Sequence, residues 1–589
     1  MNGRDVRSAG DSGSDPRPGW SGAVRLEGSG KTLLDVGRDR LLIAASLFAL
    51  GFLILSGRLV EVALLGDSSA SIVATAQRGG AAVTRMARAD IIDRNGFFLA
   101  TSLTTQSLYA DARLVRDAAA TMARLREVLP KLDGKTVRDK LASGRGFVWI
   151  RRNLTPRQVA AVNNLGEPAL AFLAEQRRVY PHGALAAHVI GYAGIDNRGL
   201  AGIERAFDER LLGAPGEPLR LSLDLRFQHV LREELAAAVE SFRAIGAAGV
   251  VLDVDTGAVA AMVSLPDFDP NRPGTGDREA LFNRASLGTY EMGSTFKSFT
   301  VAMALDAGAI GIGDGYDTTE PLRLARHTIR DFHAESRWLS VPEIFIHSSN
   351  IGAAKMALAM GTERQRAYLD RFGLLGPAPI ELPEVAQPLV PDPWRDINTA
   401  TIGFGHGIAV SPIQLAAGIA ALVNGGIRHA PSLLWRDADA VLAGVPAISP
   451  RTSCTMRQLM HLVVAHGTGR KAATAGYPVG GKTGTAEKIG ENGYDRRRLV
   501  SSFVGVFPIN RPRYLVLVLL DEPKGNDQTH GYATGGWTAA PVVGRVIARI
   551  GPLSGIAPVE LPEPGEDSGT EPGMLRVNLD GSEIRLAAF

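Results

Sequence analysis

A chain of 589 residues, 45% hydrophobic and 21% charged, is too long for one core and implies two or more folded domains. A net charge of +3, with neither sign concentrated in a folded segment, excludes the electrostatic footprint of a nucleic-acid binder. The single cysteine, Cys454, excludes an intramolecular disulfide and a cysteine-rich metal site, and packing accounts for it better than a thiol nucleophile partnered by His461 or His466.

Residues 1–40, rich in Gly, Ser, Asp and Arg without apolar periodicity, have the composition of a disordered cytoplasmic tail. The uncharged run Leu41–Ser56, LLIAASLFALGFLILS, reaches about 20 residues with Gly57 and a snorkelling Arg58, and predicts a transmembrane helix over 41–60. Lys31, Arg38 and Arg40 before it outweigh Arg58 and Arg78 after it, which orients the N-terminus to the cytoplasm and the bulk of the chain outside. Ser68 and Ala70 form a small-x-small pattern, but a leader of about 40 residues that carries Arg58 and Glu61 fits a cleaved signal peptide poorly.

Residues 61–217 read as a mixed, non-catalytic domain with short strands such as Ala89–Ala100, where Asp93-Arg94-Asn95-Gly96 marks a hairpin turn. The alternating Leu219–Leu225 leads into a helix near Arg226 and opens a second domain, 218–553. Two strands surround Asp255-Thr256-Gly257, three more fall at Gly481–Lys488, Leu499–Phe507 and Tyr514–Leu520, and a helix covers Ala540–Ile550. From Ser294 to Gly467 the pattern is mostly helical. Strands from both ends with helices between them predict an α+β domain: one antiparallel five-stranded sheet, a helical lobe, and a cleft between them. Residues 554–589, rich in Pro, Glu and Gly from Pro558 to Gly573, read as a linker and tail.

Three short motifs stand in order in this domain: Ser294-Thr-Phe-Lys297, Ser348-Ser-Asn350 and Lys482-Thr483-Gly484. Serine and lysine three apart on a helix share a face, so the amine can act as base for the hydroxyl; for that pair alone, a helix cap and a solvated lysine is the better explanation. The second motif offers a hydroxyl to relay a proton and an amide to orient a substrate, or a helix-capping pair. The third sets a cation and a hydroxyl beside glycine on an edge strand, where a substrate backbone can approach and pair. The ordered trio is the specific signal, and it is shared by penicillin-binding proteins and class A β-lactamases.

From Arg40 to Ile550 the chain resembles class B penicillin-binding proteins, through Tyr290–Lys297 (YEMGSTFK), His347–Lys355 (HSSNIGAAK), Gly403–Ala416 (GFGHGIAVSPIQLA) and Gly480–Lys488 (GGKTGTAEK). Arg177–Glu204 resembles that class's pedestal, or dimerisation-like, domain, and no stretch resembles a glycan-polymerising one. Leu517–Gly525 and Tyr532–Val546 resemble the division type more than the elongation type. The resemblance implies a penicillin-binding transpeptidase fold and a peptidoglycan D,D-transpeptidase, anchored in the inner membrane with a periplasmic catalytic domain and trapped by β-lactams. It implies Ser294 as nucleophile, Lys297 as general base, Ser348 as proton shuttle, Asn350 as holder of the stem-peptide amide, and Lys482 with Thr483 on the terminal carboxylate. Gly484 would let the substrate approach, and the backbone N–H groups of Ser294 and Thr485 would form the oxyanion hole. The implied partners are stem peptides ending in D-alanyl-D-alanine, an amine acceptor, a polytopic glycan polymerase and small bitopic division proteins; the chemistry needs no cofactor and no metal-ligand spacing appears.

Within the same chemistry, a β-lactamase is disfavoured by the preceding domain and the anchor, whereas a carboxypeptidase or a sensor that acylates once shares every motif. Gly476–Thr483 also fits the phosphate-loop pattern GxxxxGK[ST], but a helix-like stretch leads into it and a strand follows, the reverse of what that loop requires. His347 and His406 neighbour the motifs and read as structural, and Asp253 and Asp255 flank a turn.

Overall fold

The computed structural model describes residues 45–56, 87–559 except 276, 325, 438–439, 441–442 and 491–492, and the strands 575–579 and 582–586. The chain divides into two compact units, 1–83 and 84–589. In the first, residues 45–56 are helical and Leu47, Phe48, Phe52, Leu53, Ile54 and Leu55 are all exposed. Among the described residues no helix is long and apolar enough to cross a membrane, and the rest of the expected 41–60 span and of the 1–40 tail lies outside them.

The second unit opens with a sheet built on one long strand, β1 (Phe98–Ala110), which pairs antiparallel with β2 (Val148–Leu154) and β3 (Leu170–Val179). Three short helices, Ala118–Val128, Gly134–Leu141 and Pro156–Asn163, enclose a core of Leu108, Leu125, Val137, Ile150 and Val162 with these strands. The predicted turn at Asp93–Gly96 is present: Ile91 and Ile92 pair back onto the start of β1, with Gly96 at φ 90. Ile91–Ile92 also pairs in parallel with Leu219–Arg220, so the strand expected to open the catalytic domain closes this sheet instead. A buried carboxylate, Glu204, receives both Arg88 Nε (2.8 Å) and Arg178 Nε (2.6 Å), which satisfies charges that would otherwise be costly to bury.

The remainder forms the expected five-stranded antiparallel sheet, from β4 (Gly246–Asp253), β5 (Val259–Leu265), β6 (Gly480–Gly490), β7 (Gly493–Phe507) and β8 (Tyr514–Asp521), in the order β6-β7-β8-β4-β5. β8 is apolar at nearly every position because both its faces are covered. Its Val516, Val518 and Leu520 meet Phe227, Leu231, Val543 and Ile547 of helices α1 (Leu225–Phe242) and α7 (Ala539–Leu553). Leu515, Leu517 and Leu519, one residue out of step, join the core of the helical lobe. That lobe carries α2 (Lys297–Asp306), α3 (Val341–Ile346), α4 (Asn350–Met360), α5 (Pro412–Val423) and α6 (Pro450–Ala465), interrupted by small two-stranded hairpins.

The tail contains a feature the sequence reading leaves out. β9 (Leu575–Leu579) and β10 (Ser582–Leu586) form a hairpin in which Val577 pairs with Ile584. β9 lies against α3, Val577 is buried in the lobe's core, and Ile584 packs on that core. Truncation after Val559 is therefore expected to destabilise the domain by roughly 2–4 kcal/mol, the worth of one or two buried aliphatic side chains, seen as a lowered calorimetric Tm. An unchanged Tm would place the hairpin outside the fold.

Candidate active site

Ser294 lies in a tight 3-10 turn, Gly293–Phe296, that runs straight into α2. From Met292 to Thr300 it is the one side chain not buried, so its hydroxyl opens onto the cleft. Lys297, the first residue of α2, is 1% exposed, and its Nζ lies 3.1 Å from Ser294 Oγ, as the spacing of three predicts.

The turn is held against β6 by close backbone contact. Gly293 has φ 53, and a Cβ there would stand 2.3 Å from the carbonyl oxygen of Thr485. Its N–H donates to the carbonyl of Gly405 (3.2 Å), and a Cβ on Gly405 would in turn stand 2.0 Å from the Gly293 oxygen. The glycine-rich stretch Gly403–Gly407 is thus a tight turn packed against the one that carries Ser294.

Ser348 occupies the left-handed region at φ 62 between α3 and α4, a conformation that costs a non-glycine residue about 1–3 kcal/mol and tends to mark functional sites. Helix capping falls to its neighbour: Ser349 Oγ accepts from Gly352 N (3.0 Å), which leaves Ser348 and Asn350 to face Lys297. Asn350 Nδ2 donates to the carbonyl of Arg330 (3.0 Å), fixing Oδ1 toward the lysine. Lys297 Nζ donates to Asn350 Oδ1 (2.7 Å) and to the carbonyl of Ser348 (2.5 Å). Both are acceptors only, so they take two N–H bonds; a neutral amine then keeps its single lone pair for one hydroxyl, that of Ser294 or that of Ser348, each at 3.1 Å.

β6 is an edge strand and carries the third motif into the cleft. Fully buried Lys482 has its Nζ 3.0 Å from Ser348 Oγ, so that hydroxyl bridges the two amines. Thr483 Oγ1 is 2.7 Å from Thr468 Oγ1, and Thr485 Oγ1 accepts from Gly535 N (3.0 Å). Gly484 has no room for a Cβ, which would stand 2.3 Å from Ser502 Oγ and 2.6 Å from the Met292 oxygen. Because Lys482 and Thr483 lie inside a strand, after α6 and a further turn, the phosphate-loop match is a coincidence of letters.

Burial, and then the nearby Lys482 cation, hold the Lys297 amine well below the ordinary lysine value of 10.5, with Asp331 pulling the other way. Burial brings Lys482 down to about 7.

All three motifs therefore converge on the Lys297 amine and the Ser348 hydroxyl. Residues that no local motif announces join them. Asp331 accepts from Ser349 Oγ (2.7 Å) and from Ile351 N (2.9 Å), clamping the start of α4. Thr468 reaches Thr483 from the loop after α6, and Glu291 accepts from Gly407 N (2.7 Å) and Tyr494 Oη (3.0 Å). Among the described residues no group of His, Cys, Asp or Glu could hold a metal ion. Cys454 sits on α6 as a partly buried free thiol.

The penicillin-binding protein transpeptidase domain profile matches residues 247–548, and the penicillin-binding protein dimerisation domain profile matches 84–219. The chain is 42% identical over 506 residues to a probable peptidoglycan D,D-transpeptidase FtsI of Caulobacter vibrioides, covering 84% of this chain and 86% of the relative. It is 34% identical to a probable peptidoglycan D,D-transpeptidase PenA of Neisseria gonorrhoeae (80% and 85% covered) and 31% identical to the peptidoglycan D,D-transpeptidase FtsI of Escherichia coli K12 (79% and 83%). Its fold matches that of penicillin-binding protein 3 of Mycobacterium tuberculosis, solved with aztreonam, at a TM-score of 0.64 and 23% identity over 81% of this chain and 98% of the other. Two matched domains in order, and relatives that span most of the chain, place it in the family of penicillin-binding protein transpeptidases that carry a dimerisation domain ahead of the catalytic one.

Proposed function

We propose that this chain is a serine-type peptidoglycan D,D-transpeptidase that cross-links stem peptides through an acyl-enzyme on Ser294 and is trapped by β-lactams. The observation that carries the reading is the contact of Lys297 Nζ with Ser294 Oγ inside a desolvated pair of amines. A lysine whose charged form is disfavoured by burial is a better general base than a solvated one. Ser294 Oγ gives its proton to Lys297 and attacks the carbonyl of the penultimate D-alanine. The oxyanion is received by the backbone N–H groups of Ser294 and Thr485. As the tetrahedral centre collapses, the C–N bond to the last D-alanine breaks, and its nitrogen takes a proton passed through Ser348, whose hydroxyl touches both amines. The amine of a second stem peptide then attacks the ester, and Ser294 regains its proton. Asn350 holds the donor amide, and Lys482, Thr483 and Thr468 face its carboxylate beside Gly484.

The relatives named FtsI support a role at the division septum. The exposed apolar helix 45–56, with the basic residues before it, supports a single-pass inner-membrane anchor over 41–60 and a periplasmic catalytic domain, and the pedestal and anchor are the surfaces for a polytopic glycan polymerase and bitopic division proteins. On this reading 61–217 is the pedestal, with Leu219–Arg220 closing its sheet, the rest of 218–553 is the transpeptidase domain and 554–589 is a linker with the β9–β10 hairpin. The reading is tested by giving the full-length protein in detergent a stem pentapeptide donor and an amine acceptor and identifying products by mass spectrometry. Cross-linked dimer with released D-alanine is expected; tetrapeptide alone would make it a carboxypeptidase.

The charges around Lys297 predict opposite shifts in pH dependence. Lys482→Met removes a neighbouring cation, so the Lys297 pKa rises and the ascending limb of the acylation rate moves to higher pH. Asp331→Asn removes the opposing anion, so the limb moves to lower pH. Stopped-flow acylation by a penicillin across pH reads both midpoints, and shifts in the same direction would contradict the assignment.

A further inference from the structure

Residues 98–179 hold 14 Lys and Arg against 7 Asp and Glu, while the whole chain holds 64 against 61, so the even spread of charge read along the sequence does not extend to this piece. It is the sheet of β1, β2 and β3 with its short helices. Side chains alternate across a strand, and Leu108, Ala110, Val148 and Ile150 enter the helix-covered core, so Tyr109, Phe147 and Trp149 take the opposite face. There the rings meet: Phe147 stacks on Tyr109 at 4.6 Å and stands at a right-angle contact with Trp149 at 4.9 Å. Phe147 remains 46% exposed, and the other two rings are half-buried.

Guanidinium groups border the rings on both sides. Arg152 lies 4.3 Å over Trp149 and pairs with Glu175 at 3.2 Å. Arg113 lies along Gly146, close enough that a Cβ there would stand 2.9 Å from its guanidinium carbon. Asp111 accepts from Arg113 Nε (2.9 Å) and Nη2 (2.7 Å), yet the arginine side chain stays 66% exposed. A guanidinium has five N–H donors, so two bonds to one acid fix its plane and leave donors for a ligand. Arg145, also exposed, adds a further charge beside Gly146.

An exposed patch of rings rimmed by cations marks a binding surface. On the reading above this domain stands outside the cytoplasm, where the polyanions it meets are the cell-wall polymer and the lipid surface. A lipid surface calls for apolar chains free to insert, whereas these rings are stacked on one another in a flat strip. The polymer matches the strip: a pyranose offers a flat C–H face to a ring, and each stem peptide brings carboxylates that arginine takes in bidentate pairs.

We propose that Tyr109, Phe147 and Trp149, with Arg113 and Arg152, form a non-catalytic binding face for a glycan strand of peptidoglycan that bears stem peptides. The sugars stack on the rings and the peptide carboxylates pair with the guanidiniums. This rests on the transpeptidase reading and extends it: a polymer held by the pedestal raises the effective concentration of stem peptides at the cleft of the same molecule.

The test is sedimentation of the full-length protein in detergent with purified insoluble peptidoglycan, after penicillin has blocked Ser294 so that the cleft does not contribute. Phe147→Ala is expected to weaken binding about tenfold, the effect of one aromatic anchor, and Phe147→Tyr to keep it. Arg113→Gln should weaken binding at low salt and flatten its salt dependence. A thermal melt of each variant reads any loss of fold, and the tyrosine variant separates loss of the ring from loss of packing. Polyglutamate, which offers carboxylates without sugars, should compete poorly. Binding unchanged in both Phe147→Ala and Arg113→Gln overturns the proposal and leaves the transpeptidase reading standing. Full competition by polyglutamate would reduce the face to unspecific charge, and full competition by micelles containing phosphatidylglycerol would assign it to lipid; either overturns the proposal. If penicillin does not acylate the parent, the transpeptidase reading falls first and this proposal with it.

Discussion

Lys297→Met is expected to slow acylation of Ser294 by about two to four orders of magnitude, the range contributed by a positioned general base. Methionine fills nearly the same volume, so packing around α2 is retained while the amine is lost. The carbonyl of Ser348 and Oδ1 of Asn350 lose their donor, a cost of about 1–3 kcal/mol each if water does not replace it, partly offset by no longer burying an amine. The protein should therefore remain folded with its chemistry removed. The second-order rate constant for a penicillin, measured alongside a thermal melt, separates the two effects. A folded variant that acylates within tenfold of the parent would remove Lys297 from the mechanism.

Gly293→Ala should be nearly as damaging for a steric reason. The new Cβ would stand 2.3 Å from the Thr485 oxygen, with the residue already at φ 53, and the obstacle is backbone that cannot rotate away. The nucleophile turn must move off β6, and a displacement of about 1 Å at a reacting group costs on the order of a hundredfold in rate. Gly308 supplies the control: it has φ +64 but nothing within 4 Å of an added Cβ. Gly308→Ala should cost stability by about 1 kcal/mol and leave acylation intact. Equal acylation by the two variants would show that close contact between the turn and β6 is not what positions Ser294.

The same geometry explains what a reader of the sequence can see. The sheet strands are legible because Gly246–Asp253 and Tyr514–Asp521 are continuous apolar runs bounded by turns. The three motifs are legible because each is local: two residues three apart on one helical face, one helix start, one strand. Asp331 and Thr468 are not, since each is brought to the site by packing against a distant segment and carries no spacing that distinguishes it from a surface residue. Leu219–Arg220 alternates like a strand of the domain that follows, but a two-residue strand holds no record of its partner, and it pairs with Ile91–Ile92. The three-residue strands of the lobe, such as Gly315–Asp317 with Trp338–Ser340, are too short to show a period. The C-terminal hairpin does carry a signal, alternating residues on either side of Asp580-Gly581, which the Pro- and Glu-rich stretch before it obscures.

The proposed mechanism requires Ser294 to be the acylated nucleophile of a slowly deacylating enzyme. Incubating the full-length protein and its Ser294→Ala variant with a fluorescent penicillin, then following covalent label on a denaturing gel over hours, tests it most directly. Label that persists on the parent and is absent from the variant is the predicted result. Label on both, or none on a folded parent, would contradict the assignment of Ser294, and label lost within seconds would mean that water reaches the acyl-enzyme as it does in a β-lactamase.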